Sequence, residues 1–259
     1  MASLLTRRAL MPVLLVLATA AFAPLQARSE QALVAVAANF TDTAEALVPL
    51  FREATGHDVT VTTGSTGKLY AQIRNGAPFD AMLSADTATP ARLLAEGAAV
   101  QGSAFTYAVG QLALWSRQED RIGKNGREAL ADPRLRFVAI ANPELAPYGA
   151  AGREALISMG LWDTLQDRIV MGQNIGQTHA MVATGAAELG LVALSSVRRP
   201  DGAATGSVWL VPQDLYSPIR QDAVLLRAGA GNPAARAFLE FLRSPRAAKV
   251  IRAYGYGNG

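Results

Sequence analysis

Four short segments hold the residues of this chain best suited to chemistry: Ala37-Ala38-Asn39-Phe40-Thr41, Gly64-Ser65-Thr66-Gly67, the stretch 142–149, and Asn174-Ile175-Gly176-Gln177-Thr178. Each follows a predicted strand or loop, is rich in small or polar residues, and opens into a predicted helix. The first turn of a helix presents N–H groups with no intrahelical acceptor, together with the positive end of the helix dipole. Several such ends converging on one point form an anion site without any cationic side chain. Taken singly, each segment reads as ordinary structure: Asn39 or Thr41 as an N-cap, Ser65 with Thr66 as a cap pair, Tyr148 as a surface or hinge aromatic, Ile175 as core. All four belong at the carboxyl ends of strands, where open α/β sheets bind ligands, and together they read as one site.

Burying an anion is costly unless its lone pairs meet donors. The Asn39 amide, the hydroxyls of Ser65, Thr66 and Tyr148, and backbone N–H groups can all donate, and bonds to a charged oxygen are roughly twice as strong as neutral ones. No salt bridge to the ligand is expected. A site of donors without carboxylates disfavours a protonated oxyanion such as hydrogen phosphate, whose O–H would lack an acceptor. Asp42 lies in the first helical turn beside the site and is expected on the solvent face.

Other chemistries fail on residue type or spacing. A phosphate-binding P-loop needs Gly where Thr62 stands and Ser or Thr where Leu69 stands, which excludes that motif. His57 and His179 have no neighbouring carboxylate or nucleophile elbow, so neither supports a hydrolytic triad. With two histidines and no cysteine, a transition-metal site is not expected, although a carboxylate site for a hard cation stays open. Asp80 and Asp86 read as helix caps and loop anchors rather than as a catalytic pair.

The elements that must position these segments follow from patterning. Leu33 to Ala37 is a continuous apolar run suited to a strand buried on both faces. Ala44, Leu47, Val48 and Phe51 then recur at helical spacing up to Gly56, a C-cap candidate. Further strands are expected around 59–61, 79–83, 111–115, 136–140, 189–194, 209–211 and 223–227. Further helices are expected around 68–75, 149–159, 177–185, 233–242 and 245–254. The alternation predicts βαβ units around mostly parallel sheets, in two lobes joined by crossover strands near 107–114 and 222–226. Lobe one is expected over 28–110 plus 226–259, lobe two over 111–225, with a cleft between them.

Residues 1–27 carry Arg7 and Arg8, an apolar stretch from Ala9 to Ala23 and a small-residue end, the anatomy of a signal peptide, with cleavage expected after Ala27. That segment holds two arginines and no acid, so its removal lowers the formal charge from +3 to +1. A nearly neutral chain without a basic, aromatic-interleaved patch is not expected to bind nucleic acid. The absence of cysteine excludes disulfides and a lipoprotein anchor.

From about Leu33 to Gly255 the chain resembles the periplasmic molybdate-binding proteins of ABC transporters. The resemblance rests on A-A-N-F-T (37–41), G-S-T-G-K-L (64–69), I-R-N-G-A-P-F-D-A-M-L-S-A-D (73–86), A-N-P-E-L-A-P-Y-G (141–149), G-A-A-E-L-G-L-V-A-L (185–194) and S-P-R-A-A-K-V-I-R-A-Y-G-Y (244–256). It implies two Rossmann-like α/β lobes in the type II periplasmic-binding-protein architecture, with the ligand in the interlobe cleft. It implies a periplasmic monomer, not an enzyme and without cofactor, that binds molybdate or tungstate and delivers it to a membrane permease. Carried over by position, the ligand residues are Ala38, Asn39, Ser65, Thr66, Tyr148 and Ile175, the last through its backbone. Ala193 stands where some members have Tyr. The alternative is a protein of the same fold for sulfate, phosphate or a small organic anion.

Overall fold

The computed structural model describes residues 30–257. The expected signal segment, 1–27, lies outside the described residues. In chain order the first strands are β1 (Gln31–Ala37), β2 (Asp58–Gly64), β3 (Ala81–Leu83), β4 (Phe105–Gly110) and β5 (Leu112–Ser116). They are followed by β6 (Val138–Ala141), β7 (Ile169–Gly172), β8 (Leu189–Ala193), β9 (Ser207–Leu210) and β10 (Ile219–Leu225). The α-helices are α1 (Thr41–Thr55), α2 (Thr66–Arg74), α3 (Ala88–Ala95), α4 (Gly126–Leu130) and α5 (Pro147–Ser158). Then come α6 (Trp162–Leu165), α7 (Ile175–Ala183), α8 (Pro233–Leu242) and α9 (Pro245–Ala253).

The strands form two five-stranded sheets of matching design, ordered β2-β1-β3-β10-β4 and β7-β6-β8-β5-β9. In the first, β1 runs parallel to β2 and β3, while β10 is antiparallel to β3 and β4. In the second, β6 runs parallel to β7 and β8, while β5 is antiparallel to β8 and β9. Both sheets are therefore mixed, where mostly parallel ones were expected. The reversed strands, β5 and β10, are the two that arrive from the other sheet. Each runs against the βαβ strands of the sheet it joins.

Local pattern accounts for the first unit. Val34, Ala35 and Val36 have no exposed surface. Val34 and Val36 pack with Ala44, Leu47 and Phe51 of α1 and with α8, and Ala35 packs on the opposite face with Leu69 and Met82. Phe51 meets Phe238 edge-on, with ring centroids 5.2 Å apart. Burial of such a side chain contributes about 1.5–3 kcal/mol. Gly56 ends α1 at φ +74°, and its N–H returns to the Arg52 carbonyl, a conformation open to glycine without steric cost.

The chain leaves the first sheet at Gly110 and enters the second at Leu112, with Gln111 alone between the strands. It returns between Leu210 and Ile219. The return comes earlier than the apolar run at 223–227 suggested: Arg220 and Gln221 interrupt the hydrophobic pattern, yet β10 pairs with β4 from Ile219 onward. Strand β7 and helices α3, α4 and α6 also went unpredicted, being short and weakly patterned. No helix of the described residues is long and apolar enough to cross a membrane.

Candidate functional site

Each of the four singled-out segments follows a strand and opens a helix. β1 passes through a 3-10 turn, Ala38–Phe40, into α1, and β2 runs through Ser65 into α2. β6 leads through residues 142–146 into α5, and β7 leads through Asn174 into α7. The first two belong to the first sheet and the last two to the second. All six proposed ligand residues, Ala38, Asn39, Ser65, Thr66, Tyr148 and Ile175, line one small cavity where these helix ends meet.

Ser65 is the N-cap of α2, in extended conformation, but its side chain makes no capping bond. Its Oγ is buried and has no hydrogen-bond partner. Thr66 Oγ1 accepts the Ala85 N–H at 3.2 Å, which leaves its hydroxyl hydrogen available. Asn174 differs: its side chain accepts the Gln177 N–H at 2.8 Å and is a plain N-cap. That cap fixes the first turn of α7, where Ile175 stands as the first residue with an N–H that has no intrahelical acceptor. In α5 the first residue is Pro147, which has no N–H to leave unpaired and pre-sets the helical φ. Tyr148 follows, and its hydroxyl accepts Gln221 Nε2–H at 3.2 Å.

Asn39 departs from the expectation of a free amide donor. Its Nδ2 donates to Gln221 Oε1 at 2.8 Å and to Tyr256 Oη at 3.0 Å, so both hydrogens are engaged within the protein. The Oδ1 atom is the one buried without a partner. Its backbone carbonyl accepts Tyr256 Oη–H at 2.6 Å and Ser195 Oγ–H at 2.9 Å. Gln221, Ser195, Tyr107 and Tyr256 form this supporting network and were not singled out from sequence. Gln221 has no exposed surface, which only the fold reveals, and buried polar groups are retained where they are hydrogen-bonded.

A model of the family of bacterial extracellular solute-binding proteins matches residues 32–257. The chain belongs to that family. It is 49% identical to the molybdate-binding protein ModA of Rhodobacter capsulatus over 90% of each chain. It is 48% identical to the protein of that name from Azotobacter vinelandii, over 89% of this chain and 91% of the relative. The solved periplasmic molybdate-binding protein of Azotobacter vinelandii superposes with a TM-score of 0.85 at 41% identity, covering 88% of this chain and 99% of that one.

The site of this solute-binding protein is neutral. No Asp, Glu, Lys, Arg or His lines the small cavity, and Asp42 is exposed. Burial, followed by the neighbouring Tyr256 and Tyr107, pushes the Tyr148 hydroxyl well above the usual tyrosine range, so it stays a protonated donor. The cavity measures about 10 Å³, the scale that holds one water. A larger recess of about 510 Å³ adjoins it and shares Thr66, Ala85, Ala146 and Pro147. Its walls carry Asp86, Glu144 and Glu154 beside Arg92 and Arg220. The recess is thus of mixed charge, whereas the small cavity carries none. Among the described residues no cluster of three or more His, Asp or Glu could hold a metal ion.

Proposed function

We propose that this solute-binding protein captures molybdate or tungstate in the periplasm and presents it to the permease of an ABC importer. It acts as a monomer, performs no catalysis and needs no cofactor. Its two sheets are the cores of two lobes that close over the ion. The donors are the hydroxyls of Ser65, Thr66 and Tyr148 and the backbone N–H groups at Ala38 and Ile175, with Asn39 in the wall between them. The reading rests on one observation: a cavity at four helix beginnings, lined by donors and by no charged side chain, in which Ser65 Oγ is buried without a partner. An unsatisfied buried hydroxyl costs about 1–3 kcal/mol, and an oxyanion oxygen relieves that cost. The names and solved structure of the close relatives support the same ion.

Hydrogen phosphate is the second reading, and Asn39 carries it. Asn39 lines the cavity and its Oδ1 is a buried acceptor without a partner, and a protonated oxyanion brings an O–H able to meet it. Titration calorimetry of residues 28–259 with molybdate, tungstate, sulfate and phosphate separates the readings. Tight one-to-one binding of molybdate and tungstate alone is the expected outcome. Phosphate or sulfate winning overturns the ligand, and heat from none of the four overturns the site.

A further inference from the structure

Gln221 lies at a bulge of β10, where the pairing with β4 shifts register between Gln221 and Asp222. Such bulges re-aim a side chain out of the regular alternation. The Gln221 side chain has no exposed surface and meets three partners. Its Oε1 accepts Asn39 Nδ2–H at 2.8 Å and Tyr107 Oη–H at 3.0 Å, and its Nε2 donates to Tyr148 Oη at 3.2 Å. The single Tyr107 hydrogen has a second acceptor at 3.0 Å, the Ser84 carbonyl, so Asn39 sets the orientation of this amide: turning it over would set its NH₂ group against that of Asn39. Nε2–H therefore faces Tyr148. The neighbouring backbone is shaped for the pair, because a Cβ on Gly110, the last residue of β4, would collide with both the Tyr148 hydroxyl and Gln221 Nε2.

We propose that Gln221 is a positioning residue for ligand capture: by donating to Tyr148 Oη from the returning strand, it turns the single Tyr148 hydroxyl hydrogen toward the bound oxyanion. A phenol has one hydrogen; once its oxygen accepts from Gln221, that hydrogen points elsewhere, and Tyr148 borders the cavity. The same side chain holds Asn39 on the opposite wall. One residue of the first sheet thus sets polar groups from both lobes, Asn39 beside α1 and Tyr148 on α5. This rests on the reading of the cavity as an oxyanion site.

The test is a double-mutant cycle read by molybdate calorimetry on the wild type, Q221E, Y148F and the double variant. Q221E keeps the shape and keeps an oxygen for Asn39 and Tyr107, but it replaces the donor facing Tyr148 with an acceptor that takes the phenolic hydrogen away from the cavity. The expected result is that Q221E weakens molybdate binding ~10-fold or more when Tyr148 is present and clearly less in the Y148F background. The introduced carboxyl acts in both backgrounds, so the difference isolates the hydroxyl. Equal losses in the two backgrounds, or no loss in either, overturn the proposal. Should Q221E fail to fold by circular dichroism, Q221M takes its place in the same cycle, removing the donor at similar length: a loss with Tyr148 present that shrinks in the Y148F background supports the role, and equal losses or none overturn it. A wild type that binds none of the four oxyanions overturns the reading of the cavity and this role with it, whereas a wild type that binds molybdate beside an unaffected Q221E overturns the role of Gln221 alone.

Discussion

The Gly67 N–H donates to the Leu145 carbonyl at 3.0 Å, a backbone hydrogen bond from the first turn of α2 to the loop between β6 and α5. It joins elements of the two sheets at the edge of the cavity. A Cβ on Gly67 would meet the Leu145 carbonyl oxygen at 3.3 Å and its Cα at 3.4 Å. Gly67→Ala therefore opposes closure while improving helix propensity by ~1 kcal/mol. The expected outcome is a ligand-free melting temperature that is unchanged or higher, with molybdate affinity several-fold lower. Calorimetry showing wild-type affinity would remove this bond from the closing mechanism.

Ser65 offers a similar separation of stability from function. Its buried Oγ has no partner, so Ser65→Ala relieves an unsatisfied group in the free protein and removes a donor from the bound one. The free protein is expected to melt at or above the wild-type temperature, while binding weakens by ~1–3 kcal/mol. A variant that melts lower and binds normally would make Ser65 a structural residue.

Asn39 carries both roles at once. Asn39→Ala removes one buried donor each from Gln221 Oε1 and Tyr256 Oη, which both accept from its amide, and is expected to destabilise the free protein by ~1–3 kcal/mol as well as weaken binding. Asn39→Asp sets a carboxylate in a cavity that has none and is expected to abolish molybdate binding. Denaturant melts and calorimetry of both variants check this, and molybdate binding retained by Asn39→Asp would place the ion elsewhere.

His179 lies half-buried on α7 with its ring stacked on Trp115, centroids 4.6 Å apart. Burial lowers its pKa below 6.5, partly opposed by the charge of Asp42. A base whose folded pKa is depressed binds fewer protons folded than unfolded, so its contribution to stability is full above the unfolded pKa and is lost as pH falls through 6.5. His179→Phe keeps a ring on Trp115 and removes the titration. Urea midpoints measured between about pH 7 and about pH 5 are expected to fall less steeply in the variant, and parallel curves would assign the pH dependence to other groups.

Much of the cavity wall was legible from local cues. Small and polar residues followed by helical periodicity placed the four segments at helix beginnings, the family resemblance picked out Ala38, Asn39, Ser65, Thr66, Tyr148 and Ile175 within them, and all six line the cavity. Function at such positions is readable because helix ends leave N–H groups unpaired whatever the fold. The partners of Asn39 were not legible: Gln221 and Tyr256 lie 182 and 217 residues away from it in the chain. The start of β10 was missed for a related reason, since Arg220 and Gln221 break the apolar run and only β4 and Tyr148 account for the burial of Gln221.

The sequence by itself determined the βαβ alternation, the apolar centre of β1, the capping glycine of α1 and a set of anion-competent helix ends, because these depend on neighbours within a few residues. Tertiary structure alone decided that β5 and β10 reverse direction, that both hydrogens of Asn39 turn to Gln221 and Tyr256, and that the four helix beginnings meet at a cavity without charged side chains. Those outcomes depend on which distant groups satisfy one another once buried, and local pattern carries no record of the partner.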